Sequence, residues 1–162
     1  HMESVNLMRL GKREIEANPD GISLRGPMLE AMMAVGMITR EGQADPTSGE
    51  YRQTADFIRA SMDATPAYVV ITTEGNTRVD QIEAGRRWLR LHLAATGEQI
   101  AMQPLSQALQ EYVEQAALYK QIHDMLAQPG ETVQMLGRIG YAPSVGPSPR
   151  WPLDSRMVDS QA

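Results

Sequence analysis

Hydrophobic positions in the first third of the chain fall into helical spacing. Val5, Leu7, Met8, Leu10 and Ile15 predict a helix over residues 4–17, closed by the turn-forming Asn18-Pro19-Asp20-Gly21. Pro27 suits a first helical position, so a second helix is expected from Met28 to about Thr39. Leu29, Met32, Met33 and Val35 give it a broad apolar surface. Residues 41–49 are rich in Gly, Asp, Pro, Thr and Ser and read as a loop. Tyr51, Ala55, Ile58 and Met62 then predict a third helix over about 50–62.

After Pro66 the period changes. Tyr68-Val69-Val70-Ile71-Thr72-Thr73 is a continuous β-branched run that suits a central strand. Thr77-Arg78-Val79-Asp80 reads as a capping box with Asp in place of Glu. It opens a helix that continues to about Ala95, with Gly97 expected as the C′ glycine. Val79, Ile82, Trp88, Leu89, Leu91, Leu93 and Ala94 spread round most of this helix, the pattern of a buried or interface helix. Gly85 costs about 1 kcal/mol against Ala in mid-helix. A close backbone approach by a partner element would explain it. Residues 98–102 read as a short strand. Pro104-Leu105-Ser106 is a turn, and Ser106 is a candidate N-cap for a long amphipathic helix to about Ala127. Thr132–Leu136 alternates as a strand and continues weakly through Ile139 and Tyr141, and from Pro143 a proline-rich tail is extended.

The order is three helices, strand, helix, strand, helix, strand and tail, an α+β or α/β layout. The long connections leave room for parallel pairing in part of the sheet. Residues 1–2 read as a cloning remnant, 3–66 as an N-terminal helical segment, 67–142 as the core and 143–162 as the tail.

Composition narrows the chemistry. The chain has 162 residues and a formal net charge of −5, which argues against a nucleic-acid surface. It has no cysteine, so disulfides, thiolate metal sites and a cysteine nucleophile are excluded. No apolar run approaches the roughly 20 residues that span a bilayer. Eleven methionines suggest a flexible, Met-filled core, with a Met-lined ligand or partner surface as the alternative.

Generic catalytic motifs are absent: there is no Gly-x-Gly-x-x-Gly, Walker loop or Gly-x-Ser-x-Gly elbow. His92 and His123 lack ligand-spaced partners and read as ordinary helical residues. Glu111 and Glu114 read as a solvated surface pair, and Arg86-Arg87 as structural. Two segments stand out. In Gln103-Pro104-Leu105-Ser106-Gln107, a turn leads into a helix start, whose unpaired N–H groups donate to a carbonyl, a ring nitrogen or an anion unless they serve only as a cap. In Ser148-Pro149-Arg150-Trp151-Pro152, two prolines stiffen the flanks of one guanidinium, suiting it to a phosphate or to a surface carboxylate.

From Ala67 to Leu153 the chain resembles the C-terminal half of nitroreductase-family flavoproteins. The resemblance rests on the Tyr68–Thr73 strand, Asp80-Gln81-Ile82-Glu83-Ala84-Gly85, Ala94-Ala95-Thr96-Gly97 and Pro104–Gln107. It continues through Val133–Tyr141 and Ser148–Leu153. Leu10–Ile15, Asn18–Ile22 and Gly75-Asn76-Thr77 resemble the twin-arginine-signal nitroreductase subgroup, so that nearly the whole chain is covered. The resemblance implies a nitroreductase-like α+β fold and FMN as cofactor. It implies hydride transfer from NAD(P)H through the flavin to nitro compounds or quinones. Pro104, Leu105, Ser106 and Gln107 would lie against the flavin ring, with a Ser106 or Gln107 amide at its N5/O4 edge, and Arg150 would hold the phosphate. A lysine common near that position in the family has Ser148 in its place or no counterpart. The family's N-terminal Arg-Ser-rich helix and Pro-Ser-x-x-Asn segment are not found in this sequence. A homodimer, or a missing N-terminal half as partner, is expected to complete the site, with neither nucleic acid nor membrane as partner. The subgroup likeness implies bacterial export by a signal preceding residue 3. The alternatives are a flavin-sequestering protein without turnover and a dimerising half-domain that binds no flavin alone.

Overall fold

The computed structural model describes residues 2–157; His1 of the remnant and tail residues 158–162 lie outside them. The chain is mixed α and β with small sheets, an α+β layout. It divides into two compact units, one of residues 1–61 with 145–162 and the other Met62–Ser144.

In the first unit the expected helix over 4–17 is broken in two. Helix α1 (Met2–Leu7) and helix α2 (Gly11–Ala17) flank a short strand, β1 (Met8–Leu10). The break follows from the turn downstream. Gly21 has φ +72° and sits so close to the Leu7 carbonyl that no Cβ fits there. That approach brings β2 (Ile22–Leu24) alongside β1 in parallel register, Met8 opposite Ile22. Strand pairing thus overrides a helical period that was only locally consistent.

Helix α3 (Pro27–Ala34) ends five residues before the expected Thr39. Gly36 at φ +73° closes a Schellman motif, with Gly36 N–H donating to the Met33 carbonyl and Met37 N–H to that of Met32. The expected loop over 41–49 contains α4 (Arg40–Ala44), capped by the Thr39 hydroxyl, which accepts from Gly42 N–H. Helix α5 (Gly49–Asp63) is as expected. Val5, Met8, Leu10 and Ile15 form the small core of this unit. Arg40 ties it together by donating to the Val5 and Met8 carbonyls and pairing with Glu14 at 2.9 Å.

In the second unit, strands β3 (Ala67–Thr73), β4 (Ala101–Pro104) and β5 (Thr132–Gly140) form a sheet of order β3-β5-β4. The last strand enters between the first two and runs antiparallel to both. Parallel pairing, expected for part of a central sheet, occurs among the described residues only between β1 and β2. Helix α6 (Arg78–Gly97) begins with the expected capping box. Its C′ position is Gln99 at φ +59°, not Gly97, and Ile100 N–H closes a Schellman motif on the Ala95 carbonyl. Trp88 on α6 lies against Gly137 of the central strand, where a Cβ would sit 2.6 Å from the indole. The absent side chain makes room for the ring.

The long helix expected from Ser106 is much shorter. Two single 3₁₀ turns, Gln107–Leu109 and Val113–Gln115, precede α7 (Ala116–Leu126). His123 docks α7 on the sheet: its Nε2 accepts from Val133 N–H at 3.0 Å, and its Nδ1 lies 2.8 Å from the Tyr119 carbonyl. In the tautomer that lets Nε2 accept, Nδ1–H donates to the Tyr119 carbonyl.

The Met-filled core is not what forms. Among the described side chains Met8 alone of the methionines is buried, and Met28, Met37 and Met125 are well exposed. Core positions in the second unit go instead to Ile71, Ala84, Ala95, Val133 and Leu136.

Candidate functional site

The turn Pro104–Gln107 leaves the sheet at the end of edge strand β4. Pro104 is opposite Gly137, and Leu105 N–H still donates to the Leu136 carbonyl at 2.8 Å. Beyond that bond the chain departs from the sheet. Ser106 has helical φ −80° and ψ −20°, and its hydroxyl caps nothing. The amides of Ser106 and Gln107 have no acceptor among the described residues. The sequence expectation of a long-helix N-terminus is therefore corrected. A three-residue 3₁₀ turn carries no appreciable macrodipole, so the site offers two local N–H donors and no more.

Beside the turn, Gln103 on β4 accepts from Arg138 on β5 at 2.6 Å, which fixes the edge strand's register. On the other edge of the sheet, a bulge opposite Ile71 and Thr72 leaves Gln134 without a cross-strand partner. Its amide donates to the Thr73 hydroxyl and the Asn76 side chain, tying β5 to the loop that opens α6. Sequence reasoning missed this linkage, because a bulge has no compositional mark of its own.

Among the expected surface groups, Arg86 and Arg87 both pair with Glu83 on their own helix. Asn76 donates to Glu111 at 3.3 Å. Tyr119 has its phenol pushed above the ordinary value, first by burial and then by the Glu111 charge. No group of three or more His, Asp and Glu residues suited to a metal ion is found among the described residues. None of their helices is long and apolar enough to cross a membrane.

Arg150 belongs to the first unit, whereas the 104–107 turn belongs to the second. Its side chain is exposed, and its hydrogen bond goes to the carbonyl of its own neighbour Pro149 at 3.1 Å. It lines two clefts of about 590 and 560 Å³. Arg25, which sequence reasoning did not single out, lines both as well. Trp151 borders the larger cleft with the Arg156 guanidinium 4.1 Å above its ring, a cation–π contact that holds the indole in place.

The outer face of α6 is uncovered. Val79, Ile82, Leu89 and Leu93 are each more than half exposed, and their spacings of three, seven and four residues place them on one apolar stripe. A Cβ at Gly85, on the same helix, would meet nothing within 4 Å, so no element of the described chain makes the close approach that this glycine permits.

No protein-family model, curated protein or solved structure matches this chain.

Proposed function

We propose that this chain is the flavin-binding, interface-forming part of an FMN-dependent, nitroreductase-like oxidoreductase. The observation that carries the reading is the pair of uncommitted backbone donors, Ser106 and Gln107, at the end of β4. A flavin ring presents acceptors along its N5/O4 edge, and two adjacent N–H groups suit that edge. Pro104 and Leu105 supply the apolar, backbone-fixed approach. Arg150, with no carboxylate partner among the described residues, suits a phosphate. The two backbone donors therefore suit the ring edge of a flavin.

Bound FMN supplies hydride chemistry between NAD(P)H and a nitro compound or quinone. The chain's own part is to bind and to stabilise charge. The Ser106 and Gln107 N–H groups would hold the ring edge and stabilise negative charge there, with no acid or base side chain needed. That agrees with the absence of catalytic motifs from the sequence.

A visible absorption spectrum of the purified protein with added FMN tests the reading. Protein-bound flavin bands that bleach with NADPH support the oxidoreductase. Bands that persist unbleached indicate sequestration instead. A protein that retains no flavin would remove both.

A second reading has its own observation. The second unit buries only five apolar residues, two of them alanines, while the α6 stripe stays in solvent. So small a core is marginal by itself, and covering the stripe would add about 1.5–3 kcal/mol for each large side chain. This favours a dimerising half-domain, in which a second copy packs on α6 whether or not flavin is bound.

A further inference from the structure

We propose that His123 is a pH-sensitive catch, which holds α7 and the adjoining turn Gln107–Leu109 against the sheet only while its ring is neutral. All of its parts lie in the second unit. Its effect on cofactor binding rests on the flavin reading; the catch itself does not.

The ring joins α7 to the central strand through one acceptor. Nε2 accepts from Val133 N–H at 3.0 Å, and Nδ1 lies 2.8 Å from the Tyr119 carbonyl. Both ring nitrogens are thus committed to backbone partners, one to a donor and one to an acceptor. Val133 is buried, so its N–H depends on this bond. A second proton on the ring turns Nε2 from acceptor into donor. Two N–H groups would then face each other, and a buried donor left without a partner is costly. Parting α7 from β5 relieves both, because water then reaches the imidazolium and the amide.

The surrounding charges are engaged elsewhere. On α7, Lys120 and Asp124 pair with each other. On β5, Arg138 lies five positions beyond Val133 and donates to Gln103. Of the two 3₁₀ turns packed on α7, Val113–Gln115 carries Glu114 and Gln107–Leu109 carries no ionisable group. Glu111, between those turns, accepts from Asn76 and acts on the Tyr119 phenol. Glu131, in the loop from α7 to β5, accepts from Gln128 N–H. The Tyr119 ring stacks on His123 with centroids 4.1 Å apart. No carboxylate is ion-paired with His123 among the described residues.

The direction follows from these contacts. The docked state excludes the second proton and the parted state takes it up. Docking therefore strengthens as pH rises, and weakens as pH falls through the range where an exposed histidine protonates, about pH 6–7. Helix α7 also packs on Gln107–Leu109, and both pack on β5. Gln107 carries one of the two uncommitted donors, so release of α7 loosens that part of the turn.

Residue-resolved amide hydrogen exchange of the full chain tests the catch. One linked proton sets the size of the effect. Protection of the Val133 amide should fall about tenfold between about pH 7.5 and about pH 5.5, after correction for intrinsic exchange. In His123→Gln an amide oxygen can accept the same bond and does not titrate, so protection should stay level. His92→Gln, which alters an exposed histidine of α6, should follow wild type. The ¹⁵N shifts of the wild-type His123 ring need no variant, and they should titrate in step with Val133 protection. Three results would overturn the catch: Val133 unprotected at both pH values, protection that holds while the ring protonates, or an equal fall in His123→Gln. FMN titrations of wild type and His123→Gln, compared at each pH, read the coupling and cancel the titration of the FMN phosphate. Wild-type affinity that drops relative to His123→Gln at the lower pH supports the coupling. Equal affinities, with Val133 protection still falling, would overturn the coupling and leave the catch standing. No FMN binding at either pH, with the exchange pattern as expected, would remove the flavin reading instead.

Discussion

At the residue scale, a few positions decide the local structure. Gly21 is one, because its left-handed backbone and its approach to the Leu7 carbonyl together set the β1–β2 pair. Gly21→Ala should lower stability by at least about 2 kcal/mol, read as a shifted urea midpoint, since both the conformation and the space exclude a side chain. His123 is another. It accepts the N–H of Val133, a residue only 3% exposed, so His123→Phe would strand a buried donor. The expected cost is about 1–3 kcal/mol, measurable by the same denaturation. The sequence marks Gly21 through its Asn-Pro-Asp-Gly turn, and that reading holds. Nothing in the sequence marks the role of His123, because its partner is a backbone amide ten residues away that any residue but proline would supply.

At the element scale, the capping box shows where pattern reading succeeds. Thr77 and Asp80 exchange side chain–backbone hydrogen bonds at the start of α6, as their spacing predicts. The Thr77 hydroxyl, then its backbone N–H, hold the Asp80 carboxyl below its ordinary range. A lowered folded-state value means that the ionised carboxylate stabilises the fold above about pH 4, and that this contribution is lost as pH falls through the lowered value. The stability gap between wild type and Asp80→Asn should therefore be present at pH 7 and shrink as pH falls through the lowered carboxylate value, below about 4. A gap of equal size at pH 7 and below that value would contradict the role of the charge. The other end of α6 shows where pattern reading fails. Gly97 was the natural C′ candidate, but the left-handed residue is Gln99. Gln99→Gly should raise stability by about 1 kcal/mol, because glycine adopts that conformation without steric cost. The helices expected over 4–17 and 106–127 fail for a shared reason. Their apolar spacing is helical, but tertiary pairing in one case and 3₁₀ turns in the other take over part of each segment.

At the scale of the whole molecule, the alternation of helices and strands made the α+β layout legible. The strand order was not legible, because no local pattern says that the last strand enters between two earlier ones. The apolar character of α6 was read as that of a buried or interface helix, and one apolar face of it is left in solvent. A second copy should cover it. Sedimentation at high micromolar concentration should give a dimer, and Leu89→Glu should shift it towards monomer. A wild-type chain that stays monomeric would contradict this. For the site, the sequence offered Arg150 and the 104–107 turn. It could not offer Arg25, because a lone arginine before a glycine carries no motif and gains meaning only from the cleft it shares.

Flavin binding at the 104–107 turn depends most on the backbone donor at Ser106. Its φ of −80° is one that proline also adopts, and its N–H has no acceptor among the described residues, so Ser106→Pro removes the donor with little disturbance of the fold. The direct measurement is an FMN titration followed by quenching of flavin fluorescence, with wild type and Ser106→Pro in parallel. Binding should saturate near one FMN per chain and weaken about tenfold with the substitution. Equal affinity in the two proteins, or no quenching with either, would contradict this.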